Sequence, residues 1–393
     1  MQQAQQFQFR QSLKVHRTVS AFLKGFTGFL SILIIGCGSS LKLQTELDHS
    51  PYDVPMAGKT PARQYSDSSI FAFPLQTAWE YEASAGFGNG SPIVIGDVLF
   101  MGTLQGELHA VDIKSGKRIK YIKSFSPISS SPVFFERFLY FGTESTDENL
   151  TAINTDNGEV QWSADIGGVA SSPLVTDNGL FAGGLDGKFY CFQPALGTVR
   201  WSVDTRSPIR SSPCAEDNAV YCANSDGIVF AFDQYTGTEL WKFSTGNAVF
   251  AGLTISDGKL FVGSRDSNLY IIDAATGSLY LKIPVGDKIM STPSVNNGIV
   301  YVSSLDGTVS TYKVSDGTLQ WKFQAKSAVN TTPVITPTAI FVAALDEYIY
   351  ALSPTDGSVL WKQHMDSRMK TTPLVWRNFL IIAAENKTIT CFR

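Results

Sequence analysis

A tryptophan-bearing segment recurs from Trp162 to the chain end, and no other feature constrains the fold as strongly. Trp162, Trp201, Trp241, Trp321 and Trp361 fall 39 or 40 residues apart once Leu281 stands in for a missing member. Four residues before each comes a turn glycine: Gly158, Gly197, Gly237, Gly277, Gly317 and Gly357. A period of about 40 residues signals a solenoid, a propeller or an array. The residue types between the tryptophans choose among these.

One unit, Ser211 to Ser244, alternates short β-branched and aromatic runs with Glu-Asp-Asn, Asn-Ser-Asp-Gly and Thr-Gly turns. Such turns are hairpin chemistry, because glycine takes the positive φ they need. The unit therefore predicts four strands. After residue 70 no stretch shows the three- and four-residue apolar spacing of paired helices. Counting by a small-small-Pro start gives Ser91-Pro92, Ser131-Pro132, Ser172-Pro173, Ser212-Pro213, Thr292-Pro293, Thr332-Pro333 and Thr372-Pro373, with Ala251-Gly252-Leu253 in the same register. The expected fold is all-β, an eight-bladed propeller of four-stranded blades. The last unit reaches Arg393 after its third strand, while Gln76 to Ala83 carry the outermost-strand pattern, with Trp79 in the tryptophan position. The N-terminal strand should therefore complete the eighth blade and close the ring.

Residues 73–393 are assigned to the propeller, 37–72 to a flexible polar linker beginning at Cys37, and 1–36 to a signal peptide. In that leader Arg10, Lys14, Arg17 and Lys24 precede an apolar core, Gly25 to Ile35, too short to span a bilayer. Ile34-Ile35-Gly36-Cys37 resembles a bacterial lipobox, which implies acylation, palmitate included, at Cys37. Gly38 follows Cys37 in place of the aspartate that would resemble an inner-membrane retention signal, so the resemblance implies the outer membrane, with the protein facing the periplasm. Several acyl chains give stable anchoring where one is marginal.

Net charge is −4 and no basic stripe crosses the repeats, which excludes a nucleic-acid footprint. Cys214 and Cys222 flank the Glu216-Asp217-Asn218 turn about equally; they either form a disulfide or are two small buried hydrophobes. Cys191 and Cys391 read as core residues, and no Cys-x-x-Cys offers a metal or redox site. His16, His49, His109 and His364 are scattered, so no metal site or catalytic triad is expected. Asp186, Asp226, Asp266, Asp306 and Asp346 recur as turn formers. On the same rim Arg206, Arg210, Lys288, Lys326, Arg368 and Lys370 give a mixed-charge face. Trp376 and Arg377 fall in a turn on the opposite rim, where an indole is unusual.

Phe230 to Trp241 resembles the pyrroloquinoline-quinone-type propeller repeat, Ala-x-Asp-x-x-Thr-Gly-x-x-x-Trp, with similar runs at 110–121, 152–162, 271–281 and 351–361. The resemblance implies that Trp79, Trp162, Trp201, Trp241, Trp321 and Trp361 dock blade against blade. It does not imply the quinone. The quinoprotein enzymes it points to have a Glu/Asn/Asp calcium site, an adjacent-cysteine disulfide and capping insertions, none of which this sequence repeats. The expectation is no enzyme, no cofactor and no metal.

Lipobox, tether, eight quinone-type blades and N-terminal closure together resemble the BamB-like family of outer-membrane protein assembly lipoproteins. Membership implies a protein-binding scaffold whose partners are the central β-barrel assembly subunit (BamA-like) and unfolded outer-membrane protein substrates. The family's Leu-x-Leu-Arg contact loop corresponds to Ser207-Pro208-Ile209-Arg210, which makes Ile209 and Arg210 the expected partner-binding pair. Two other classes stay open: a quinone-dependent oxidoreductase, and a propeller lipoprotein that binds another envelope ligand.

Overall fold

The computed structural model describes residues 41, 47, 50–124, 126–144, 147 and 149–393. Among them are eight four-stranded antiparallel sheets and no helix. Each blade runs from a two- or three-residue inner strand (Ile93–Ile95 in the first, Leu374–Trp376 in the last) outward through longer strands. The middle strands are buried on both faces, as between two neighbouring blades, whereas the outermost strands alternate and expose one face to solvent. Strand Thr77–Glu82 pairs with Thr388–Phe392, so the N-terminal strand does complete the eighth blade.

The repeated tryptophan is a joint between blades. In register it lies opposite a small or apolar residue of its own third strand, as in Cys191↔Trp201 and Ala231↔Trp241. Its ring covers the turn glycine of the next blade. A Cβ on Gly116, Gly197, Gly237, Gly277 or Gly357 would stand within 2.6 Å of an indole atom, so the positive φ of these turns is not their only reason for glycine. Trp79, Trp162, Trp201, Trp241 and Trp321 each donate the indole N–H to a carbonyl of the next blade at 2.7–3.0 Å. Trp361 instead meets Phe392 edge-on and stacks on Phe73. In the first blade the tryptophan register, opposite Ala110, is held by Lys120.

Part of the segment expected as a free tether is packed into the ring. From Val54 to Asp67 it runs along the inner strands, whose hub-facing backbone groups lack a sheet neighbour. Val54 exchanges both bonds with Val94, and the carbonyls of Pro55, Pro61, Ala62, Gln64 and Tyr65 accept from Phe134, Ala215, Ile255, Val295 and Ile335. Six of the eight inner strands are thereby satisfied. Arg63, 0% exposed, donates to the carbonyls of Pro213, Ala57, Ser172 and Pro173 at 2.6–3.1 Å. Further upstream Leu41 is also buried, so the flexible-linker reading fails from Ser50 onward and at Leu41; polar composition hid a segment held chiefly through its main chain.

Two more expectations resolve here. Cys214 and Cys222 are free and buried, not bridged. Cys214 pairs across the hairpin with Tyr221, which turns the following residue, Cys222, to the other face of the blade. Each then joins a different apolar cluster, and burial pushes both thiols upward in pKa. Trp376 is no exposed contact. It is buried against Val54, and Arg377 stacks over both Trp376 and Tyr52 at 4.4 and 5.0 Å. Its unusual indole belongs to the docking of the N-terminal segment.

Candidate functional site

Seven of the eight loops that enter the inner strands share one pattern: an apolar residue, a variable one, then two small residues, followed in six of the seven by Pro. The apolar members are Ile128, Val169, Ile209, Val249, Ile289, Val329 and Met369, all fully buried. Each plugs the space beneath its loop; Ile209, for example, occupies the place a Cβ on Gly183 would need. Ile209 therefore serves the core and offers no surface to a partner, which corrects the expected pairing. Only Arg210 of the two is exposed.

Arg210 is instead one of eight variable residues, one per blade, around the mouth of the central hub: Asn89, Ser129, Ala170, Arg210, Phe250, Met290, Asn330 and Lys370. The 40-residue period, applied to loops as well as strands, would have found this ring. Below it lies a belt of hydroxyls that ties neighbouring blades. Ser131, Ser172 and Ser212 accept from the backbone N–H of Ser91, Ser131 and Ser172, and Thr372 accepts from Thr332. The belt and ring enclose a cavity of about 290 Å³, with Ala57 and Tyr65 of the docked segment also lining it.

Charge around the mouth is largely spent locally. Asp186, Asp266 and Asp346 accept from Tyr190, Tyr270 and Tyr350; Asp266 and Asp346 also take the loop amides of Gly246 and Lys326. Burial raises the Asp266 pKa, but bonds from Tyr270, Asn268 and Ser264 outweigh it and hold the carboxyl below its ordinary range. Lys370 and Arg368 both meet Glu385, at 2.5 and 3.6 Å. Arg210 differs: its guanidinium lies 5.9 Å from the Phe250 ring, whose other neighbour is Arg265 at 4.9 Å. Two cations on one partly exposed aromatic make a positive, partly apolar sector suited to a carboxylate flanked by apolar groups.

The residues do not fit a quinoprotein centre. Calcium requires about six to eight converging oxygens, and among the described residues no three His, Cys, Asp or Glu side chains stand close enough to hold a metal. Glu144 is the carboxylate lining the hub cavity, and it accepts from Ser129. His109 is buried in the joint between the last and first blades, hydrogen-bonded to Tyr81 at 2.6 Å and Glu107 at 3.1 Å. Cys37 lies outside the described residues.

A family model described as outer membrane protein assembly factor BamB matches residues 146–247 and 225–392. Over 146 residues the chain is 32% identical to the outer membrane protein assembly factor BamB of Burkholderia pseudomallei, a match covering 34% of this chain and 35% of that protein. The chain thus spans about a third of the length of that relative. Its fold is similar to the crystal structure of BamB from Moraxella catarrhalis, with a TM-score of 0.72 and 18% identity, over 81% of this chain and all of that one. It is similar also to quinohemoprotein alcohol dehydrogenase from Comamonas testosteroni, with a TM-score of 0.74 and 12% identity, over 88% of this chain and 81% of that one. At such identities the structural likenesses speak for the propeller alone.

Proposed function

The chain belongs to the outer membrane protein assembly factor BamB family, and from that membership we propose that it is a non-enzymatic, protein-binding scaffold in the assembly of β-barrel outer-membrane proteins. The observation that carries the proposal is the family match across blades two to eight. The hub mouth supplies the physical means. Its exposed Arg210 sits beside Phe250, so a partner carboxylate meets a guanidinium with apolar surface around it, a pairing typical of interface anchors.

Acylation of Cys37 would hold the scaffold on the periplasmic side of the outer membrane. Leu41 donates its N–H to Gly158, in the turn between the third and fourth strands, on the face opposite the hub mouth. The partner in this reading is the periplasmic part of the central β-barrel subunit, with unfolded barrel substrates as passing clients.

Arg210→Ala tests the contact. It is expected to cut co-purification of the barrel subunit by about tenfold, as for an interface anchor worth about 1.4 kcal/mol or more, and to leave Tm unchanged because the side chain is exposed. Undiminished recovery of the barrel subunit with this variant would remove the Arg210 sector from the interface.

A further inference from the structure

The joint between the fifth and sixth blades lacks its tryptophan. Leu281 holds the indole register, opposite Ile271. A Cβ on Gly317 of the next blade would stand 3.4 Å from Ile283 and 3.9 Å from Leu281, where five equivalent glycines have an indole within 2.6 Å. The acceptor is left over as well. One joint earlier, the Ala274 carbonyl takes both the Trp241 indole N–H at 2.9 Å and the Tyr221 hydroxyl at 3.3 Å. Its counterpart is the Val314 carbonyl, and Leu281 and Phe261, in those two places, carry no donor. No donor among the described residues meets the Val314 carbonyl.

An open hollow of about 440 Å³ lies beside this joint, lined by Phe261, Tyr280, Ile299 and Val314, with Lys259 and Lys313 at its edge. Tyr280 is held along one wall by a bond from its hydroxyl to Ser315 and by the Lys259 ammonium 5.0 Å from its ring.

The molecule also shows what happens when such a slot meets a free segment. The other joint without tryptophan, between the first and second blades, has Lys120 in the indole register. There Leu41, far from that joint in sequence, is buried at 0% exposure in a cluster with Phe100, Leu139 and Ile153. Its N–H bonds the carbonyl of Gly158, the turn glycine equivalent to Gly317, at 2.9 Å. The first vacancy is filled by a side chain from a distant part of the sequence; at the second, Ile283 and Leu281 cover Gly317 at contact distance and the hollow beside the Val314 carbonyl holds no side chain of this kind.

From the hollow beside the Val314 carbonyl, the missing donors and the filled precedent we infer that the joint between blades five and six is a docking site for a tryptophan side chain carried on an extended segment of a partner protein. The indole enters between Phe261 and Ile299, and its N–H bonds the Val314 carbonyl, as the chain's own tryptophans do in five other joints. Stacking and apolar burial supply affinity, and the single acceptor selects indole over a ring without a donor.

The test uses the whole chain with N-acetyl-tryptophanamide as probe, followed by calorimetry and saturation-transfer NMR. Saturable binding is expected, about tenfold weaker for N-acetyl-leucinamide and lost in Leu281→Trp, whose own ring fills the slot and raises Tm. Phe261→Tyr keeps the slot while giving the carbonyl a hydroxyl, as Tyr221 does, and should weaken the probe several-fold with the fold intact. Absence of binding, or binding unchanged in both folded variants, overturns the proposal. In cells, a photo-crosslinking phenylalanine at Tyr280 should map to a tryptophan of another envelope protein and lose that product in Leu281→Trp. Crosslinks solely to a second copy of the chain would overturn the partner assignment. The site goes beyond the scaffold reading and lies away from Arg210, so each can fail without the other.

Discussion

Arg63 is buried without a carboxylate among the groups it bonds. Four carbonyls from three parts of the chain converge on its guanidinium, and burial lowers its pKa. A charge held by carbonyl dipoles is costly to strip, since each lost donor leaves a buried acceptor unsatisfied. Arg63→Ala is expected to cost about 3–5 kcal/mol in chemical denaturation, far more than truncation of an exposed arginine. His109 gives the residue scale its pH dependence. Burial lowers its pKa, more than Glu107 beside it compensates, with Arg118 acting in the same direction as burial. Neutral His109 therefore donates from Nε2 to Glu107 and accepts from the Tyr81 hydroxyl at Nδ1. Below about pH 6.5, the ordinary histidine value, the unfolded chain binds a proton that the folded chain refuses, so stability falls as pH drops through that window. Glu107, whose bonds from Ser84, His109 and Lys123 outweigh its desolvation, adds a further loss below the ordinary glutamate range. Thermal melts from pH 7.5 to 5.5 should show a declining Tm, and His109→Gln should flatten that slope; an unaltered slope would mean that another group sets it.

At the scale of strands and loops, closure by Thr77–Glu82 has a direct consequence. Deleting that strand bares the edge of Thr388–Phe392 and removes the Trp79 indole from the first blade. Loss of the cooperative unfolding transition is expected, because a ring opened at one joint also loses about 3–5 kcal/mol of tryptophan packing; a deletion protein with the parent Tm would contradict closure as a source of stability. Blade count, strand order and this closure were legible from the sequence because turn glycines, strand-start prolines and tryptophans each repeat in register. Arg210 was legible as a loop cation, yet Ile209 was misread. An apolar residue beside an exposed arginine looks like a contact, and only its recurrence at 128, 169, 249, 289, 329 and 369 shows it to be a plug. The cysteine pair was undecidable from spacing, since a one-residue difference in hairpin register sends Cys222 to the opposite face. The docked segment was illegible for another reason. Its bonds to six inner strands come from main-chain groups, which any sequence carries, and its one distinctive side chain, Arg63, reads as solvated until the ring surrounds it.

Taken as a ring, the protein solves two edge problems with one N-terminal stretch. The outer edge of the last blade is completed by Thr77–Glu82, and the inner edges that radial blades leave facing the hub are capped by Val54 to Asp67. The blades themselves do not need the second device for their internal ladders, so removing residues 50–67 should leave a folded propeller of lower stability, not an unfolded chain. Hydrogen exchange would read the difference residue by residue. Amides of Val94, Phe134, Ala215, Ile255, Val295 and Ile335, which donate to that segment, should lose protection together, while third-strand amides such as Ala231 and Ala351 keep theirs. If all amides lost protection equally, the segment would be part of the single cooperative unit, and the hub and not the outer joints would govern stability. Selective loss would instead mark the plug as a separable layer lying beneath the mouth that carries Arg210.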